Sequence, residues 1–236
     1  MQTPVLSAIN GAALLNGNTS ATLKPTVDSV KDAMLGLRGF EQVFVPHGTT
    51  LLAQGDRTDC VFYILKGLVV EEELNIDGEA AWADIKMRGE VAGLNCVTFG
   101  GGWRGHYEIS TASIQALTDV FAVRLPRYQI ANNIPDDSAL SKMVHDILQL
   151  QTVHLHNHLL ALCAKSAQAR VVMLLQSLFQ RAIESQVIKP TQRLPISQVT
   201  IAKVANVSVV HMNRIVQKLR LDGVLDWTTD GVSMTA

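Results

Sequence analysis

The sequence predicts an α+β chain: an N-terminal β-roll of jelly-roll type, a long dimerisation helix, and a C-terminal winged helix-turn-helix. Three observations predict it. Between Phe40 and Leu125, short β-rich runs alternate with Gly, Asn and Asp breakers. Beyond Pro126 the apolar spacing changes to the 3.6-residue helical period. From Leu194 to Ala236, two short helical signals flank a sharp-turn signal and are followed by a hairpin signal. The expected divisions are a loose extension over 1–25, the β-roll over 26–135, the long helix over 136–165 and the winged helix over 166–236.

Taken in order, Met1–Lys24 has no clear period, whereas Val27–Leu37 spaces its apolar residues as a helix does. The expected strands are Val43–Val45, Thr50–Ala53, Val61–Leu65, Leu68–Leu74, Ala81–Lys86, Tyr107–Ala116 and Val120–Leu125. Asp77-Gly78 is a tight hairpin signal, and Gly100-Gly101-Gly102 leaves a loop backbone little restricted. Asp136, Asp137 and Ser138 form a capped, acidic helix start. Leu140, Val144, Ile147, Leu155, Leu159 and Leu162 then line roughly one side of a helix about 40 Å long. Gln151, His154 and His158 add polar positions to that seam, a pattern that suits pairing with a second copy. A further helix over Gln168–Ser185 turns Val171, Val172, Leu174, Leu175, Leu178, Phe179 and Ile183 inward.

The last segment is the most specific. Ser197 can cap a helix over Gln198–Ala205, with small Ala202 allowing a second helix to cross closely. Asn206 suits the left-handed turn that must follow. Ser208 can cap a helix over Val209–Leu221 whose inward face is Met212, Ile215, Val216 and Leu219. Asp222-Gly223 ends it, and Val224–Trp227 with Val232–Met234 form a wing hairpin. Such a unit lays the start of its second helix in the major groove of DNA. Val209, Val210, His211, Asn213 and Arg214 then face base edges. Arg214 suits a bidentate guanine contact, Asn213 or His211 a base or a phosphate, and the two valines only thymine methyls or apolar neighbours. Lys203, Lys218 and Arg220 suit phosphates, and Ser197 and Ser208 complete the set at the two helix starts.

Composition agrees. The 236 residues are 47% apolar, ample for one or two cores, with no run approaching the ~20 apolar residues of a membrane span. The net charge of −1 conceals a split. Residues 1–140 hold ten Lys/Arg against sixteen Asp/Glu, whereas 141–236 hold ten against five, so the basic half suits a polyanion. Cys60, Cys96 and Cys163 lie far apart and read as buried thiols of a cytoplasmic protein, and no secretory signal opens the chain.

Several of these runs resemble the Crp/Fnr superfamily of bacterial transcription regulators. They are Leu194-Pro195-Ile196-Ser197, Ile201-Ala202, Val207 through Leu219, and Asp222-Gly223-Val224-Leu225. In the N-terminal half, Val45-Pro46-His47-Gly48, Gln54-Gly55-Asp56, Phe62 through Gly67, Gly89-Glu90 and Ala116-Leu117-Thr118-Asp119 resemble its cyclic-nucleotide-binding roll. The resemblance spans about Phe40 to Val232 in unbroken order. It implies a homodimer on a pseudo-palindromic double-stranded DNA operator, RNA polymerase as a further partner, and no enzymatic activity. A metal enzyme on such a roll would need strand histidines, and only His47 and His106 lie there.

The departures concern the effector. In cyclic-AMP-binding members a Gly-Glu pair holds the ribose and a following Arg holds the phosphate. Gly89-Glu90 is present, but the Arg aligns with Ser110, just before Thr111, and a hydroxyl supplies no charged fork. Arg104, in the longer glycine loop, is the candidate substitute, and Glu90 reads better as a turn residue than as a ribose ligand. The effector is therefore expected not to be cyclic AMP. No cysteine precedes Cys60, against an iron–sulfur cluster. His154, His156 and His158 leave a haem or small-ligand sensor as the alternative, with polar seam residues the plainer account and no cofactor expected. Related members carry Arg and Glu where Val209 and Val210 stand, so the operator should differ.

Overall fold

The computed structural model describes residues 39–57, 59–74, 78, 80–94, 109–133 and 138–235. The expectations for the extension, the Val27–Leu37 helix, the Asp136-Asp137 helix start, the glycine loop, Cys96 and Arg104 lie outside them. The chain forms two compact units that divide between Gln149 and Leu150.

In the first unit, β1 (Glu41–Val45), β8 (Val120–Pro126), β3 (Cys60–Lys66) and β6 (Val91–Ala92) make one sheet in the order β1-β8-β3-β6. The second sheet is ordered β2 (Thr50–Leu52), β7 (Ser113–Ala116), β4 (Leu68–Leu74), β5 (Ala80–Met87), and every pairing is antiparallel. Because successive strand residues face opposite ways, β3 serves two cores. Phe62 and Ile64 join Val69, Ile114, Ala116 and Ala122 in the roll interior. Val61 and Tyr63 join Val91, Val123 and Leu125 on the outer face. That face is covered by Ile130 of α1 (Arg127–Asn133) and by Met143, Val144 and Ile147 of α2 (Ser138–Leu162). The pattern contributes roughly 1.5–3 kcal/mol per large apolar side chain removed from water.

Three expectations are corrected here. The strand expected over Tyr107–Ala116 is regular only from Ser113: Ile109 makes a single bridge to Arg57, and the Ser110 hydroxyl donates to Ala112 O, breaking the ladder. The seam of α2 is divided. Val144 and Ile147 pack on the strands of their own roll, whereas Leu155 and Leu159 are exposed, beside Val153 and Leu160 that the seam did not include. Cys163 is exposed rather than buried, while Cys60 is buried and its burial pushes the thiol pKa up. Helix α1 and the two-residue β6 were not expected, being too short for a period to show.

In the second unit, α3 (Ala167–Glu184) is capped by Ser166, whose side chain accepts from Ala169 N. Val171, Val172, Leu174, Leu175, Leu178 and Phe179 are buried as expected, but Ile183 is only half-buried and Arg181 and Ala182 turn inward. Helices α4 (Gln198–Val204) and α5 (Val209–Leu221) follow, then the hairpin β9 (Leu225–Thr228) and β10 (Gly231–Met234). Leu194 pairs with Val232 in both directions and extends the hairpin. Gly231 permits that approach: at φ 122° a Cβ there would stand 2.1 Å from Leu194 O.

Candidate nucleic-acid interface and roll interior

The two short helices are set by local chemistry. Ser197 accepts from Thr200 N at 3.0 Å, and Ser208 accepts from His211 N at 3.2 Å, so each hydroxyl satisfies an amide that the helix leaves unpaired. Between them Asn206 adopts φ 50°, and Val207 N donates to Ala202 O at 2.9 Å, closing the first helix over the second. Ala202, Ile201, Met212, Ile215, Val216 and Leu219 are buried. Val207 is half-buried beneath the turn.

The opposite face of α5 is open to solvent. Val209, Val210, His211, Asn213, Arg214 and Lys218 are all exposed, as is Lys203 on α4. Val209 and Val210 keep 42% and 64% of their surface, so two adjacent apolar side chains stand in water at the head of the helix. Thus the residues that sequence reasoning assigned to base edges and phosphates share the solvent side of one motif. Ser197 and Ser208 serve first as caps. Arg220, expected at a phosphate, lies 3.3 Å from Asp226 instead.

Asp226 belongs to a lock that the sequence did not reveal. Arg193 donates to the Asp226 carboxylate and, at 3.0 Å, to Asp226 O, and Arg220 pairs from the other side. The bond from Arg193 and the two neighbouring charges hold the Asp226 pKa below the ordinary carboxylate value. Trp227 Nε1 donates to Ile196 O, so the wing is tied at its charged and apolar faces alike.

The roll interior has a different character. Register places Lys86 opposite Val69 and Asp84 opposite Glu71, on the inward side. Lys86 Nζ lies 2.8 Å from Asp84 and 3.7 Å from Glu71, with only 5% of its side chain exposed. Glu71 also accepts from Gly93 N at 2.9 Å. Burial pushes the Glu71 carboxyl up against the pull of Lys86. Burial also works against the Lys86 ammonium, yet Asp84, Glu71 and Glu90 hold its pKa above the ordinary value. None of Glu71, Asp84, Lys86 and Gly93 was singled out from the sequence, because only the β4–β5 register shows which charges turn inward.

Of the residues assigned to an effector, Glu90 borders this cluster. Gly89, at φ 83°, and Glu90 form the tight turn from β5 to β6, where the Glu90 carboxylate accepts from Met87 N at 3.0 Å. Ser110 is buried, its N–H bonded to Asp56 O and its hydroxyl to Ala112 O, while Thr111 is exposed. Among the described residues, no three His, Cys, Asp or Glu converge as a metal site. His154 is buried and His156 exposed.

The two-sheet roll, the long helix and the winged helix-turn-helix make up a fold that other solved structures share. Comparison with known proteins bears this out at the level of fold. Residues 42–134 match the cyclic nucleotide-binding domain family. The chain is similar to FixK2 of Bradyrhizobium japonicum, with a TM-score of 0.70 at 17% identity over 84% of this chain and 93% of that one. It is similar to the c-di-GMP responsive global regulator CLP of Xanthomonas campestris, with 0.67 at 15% identity over 88% and 98%. A CRP-family transcriptional regulator of Thermus thermophilus gives 0.63 at 17% identity over 82% and 92%. No curated protein sequence matches the chain.

Proposed function

We propose that the chain is a cytoplasmic, homodimeric, sequence-specific DNA-binding transcription regulator of the Crp/Fnr type, not an enzyme, whose effector is not cyclic AMP. One observation carries the reading. A capped helix pair, turned at a left-handed Asn206, buries one face of α5 and leaves Val209, Val210, His211, Asn213, Arg214 and Lys218 exposed together. This is the presentation by which a recognition helix meets the major groove. A second copy would join along exposed Leu155 and Leu159 of α2, which lie four residues apart on one side of the helix. RNA polymerase is the further partner that a regulator of this type would engage. Among the described residues no helix is long and apolar enough to cross a membrane, which accords with a cytoplasmic site of action.

Selection of bound duplexes from a random library tests the reading. An enriched palindrome with half-sites about 34 Å apart, bound more weakly as salt rises, is the expected result. Failure to enrich any sequence would overturn it. For the effector, the Ser110 hydroxyl is committed to the backbone and the Glu71 carboxylate already accepts from a glycine amide inside the roll. Losing the charged partner of a buried phosphate weakens binding by roughly 30-fold to several thousand-fold. Calorimetric titration with cyclic AMP should therefore show no low-micromolar binding. A low-micromolar constant that disappears in Arg104→Ala would instead assign the phosphate to Arg104.

A further inference from the structure

We infer that Val209 and Val210 recognise thymine methyl groups, so that the operator half-site carries a thymine within two base steps of the guanine taken by Arg214. The inference rests on the proposed DNA-reading role and specifies its ligand. The first two side chains of α5 offer a base edge nothing polar, and His211 is the one polar side chain of that turn. Val209 and Val210 open the helix, no acidic residue lies in that turn, and the Ser208 hydroxyl is held by His211 N. The unpaired amides there can meet phosphates, which carry no sequence information.

What the valines do offer is exposed apolar surface, and in the major groove thymine carries the apolar group, its 5-methyl. A guanine or cytosine edge pressed against the same valine would lose water from its O6, N7 or N4 without gaining a partner. Attraction to the methyl and rejection of the unsatisfied edge therefore act in one direction.

Helix geometry sets the spacing. Val210 precedes Arg214 by four residues, and Val209 precedes Asn213 by four, so each valine shares a row with a hydrogen-bonding residue. Four residues rise about 6 Å, and stacked bases are about 3.4 Å apart. A guanine contact at Arg214 thus places Val210 one or two base pairs away.

The probe is the duplex selected from a random library by the full chain. Each thymine of its half-site is replaced in turn, symmetrically, by deoxyuridine, which removes the methyl alone. Dissociation constants are measured for the wild type, Val209→Ala and Val210→Ala. One buried methyl corresponds to about fourfold in affinity, so at one thymine position the paired replacement should weaken the wild type by about 16-fold. The same replacement should weaken one alanine variant by less than about twofold in each half-site, because the contact is already gone. Tolerance of uracil at every thymine, or an equal loss in wild type and both variants, overturns the inference while leaving the DNA-reading role intact. A library that enriches nothing overturns both.

Discussion

In the β-roll, charged side chains turn inward and satisfy one another: Lys86 lies between Asp84 and Glu71, and Glu71 also accepts from Gly93 N. In the helix-turn-helix, caps satisfy the helix ends, and Arg214, Asn213 and Lys218 stand in water with their donors outward. The roll uses its inward polar groups to hold itself together, whereas the open face of α5 keeps its own for a partner. The same residue types therefore have different consequences. Removing a charge should cost folding stability in the first region and binding in the second.

Lys86→Met is the most severe test of that contrast. It leaves two largely buried carboxylates without their cation and should cost about 3 kcal/mol of stability, measured by urea unfolding. A loss below about 1 kcal/mol would mean that the interior charges are solvated and the contrast fails. Next in size is the exposed apolar face of α2. Leu155→Glu with Leu159→Glu should give a monomer in sedimentation and weaken operator binding by about 100-fold, since two half-sites no longer act together. An unchanged dimer would move the interface elsewhere.

Arg214→Ala sharpens the second half of the comparison. It should cost about 1–3 kcal/mol on a selected operator and much less on random DNA, with no change in unfolding midpoint. Equal losses on both would make Arg214 a phosphate contact. Ser208→Ala should do the reverse, removing about 1 kcal/mol of stability through the lost cap. The smallest effect concerns pH. A carboxyl whose folded pKa is raised takes up its proton more readily when folded, so acidification favours the native state. Wild-type roll stability should therefore rise relative to Glu71→Gln as pH falls through the raised Glu71 pKa towards the ordinary carboxylate value. An opposite slope would show that Lys86 dominates that carboxyl.

Much of the candidate DNA-reading site was legible because its signals are short-range. Ser197, Asn206, Ser208 and Gly223 each act on a backbone within a few residues, and the α5 bounds Val209–Leu221 follow from them. The long α2 was legible as a helix, but not the use of its faces. Its seam residues share one period, while Val144 and Ile147 pack with Tyr63 and Val123, and Leu155 and Leu159 stay exposed. Periodicity reports that a face is apolar and says nothing of what covers it.

The sequence by itself determined the order of elements, the helix-turn-helix with its caps and turn, and the odd apolar opening of α5. Tertiary structure alone decided that Glu71, Asp84 and Lys86 meet inside the roll, that Glu90 closes its own turn, and that Arg193 and Arg220 converge on Asp226. The physical reason is range. Caps and turns are written in adjacent residues, whereas the facing of a strand and the partner of a charge depend on register between segments distant in the chain, where a shift of one residue turns every side chain to the other face.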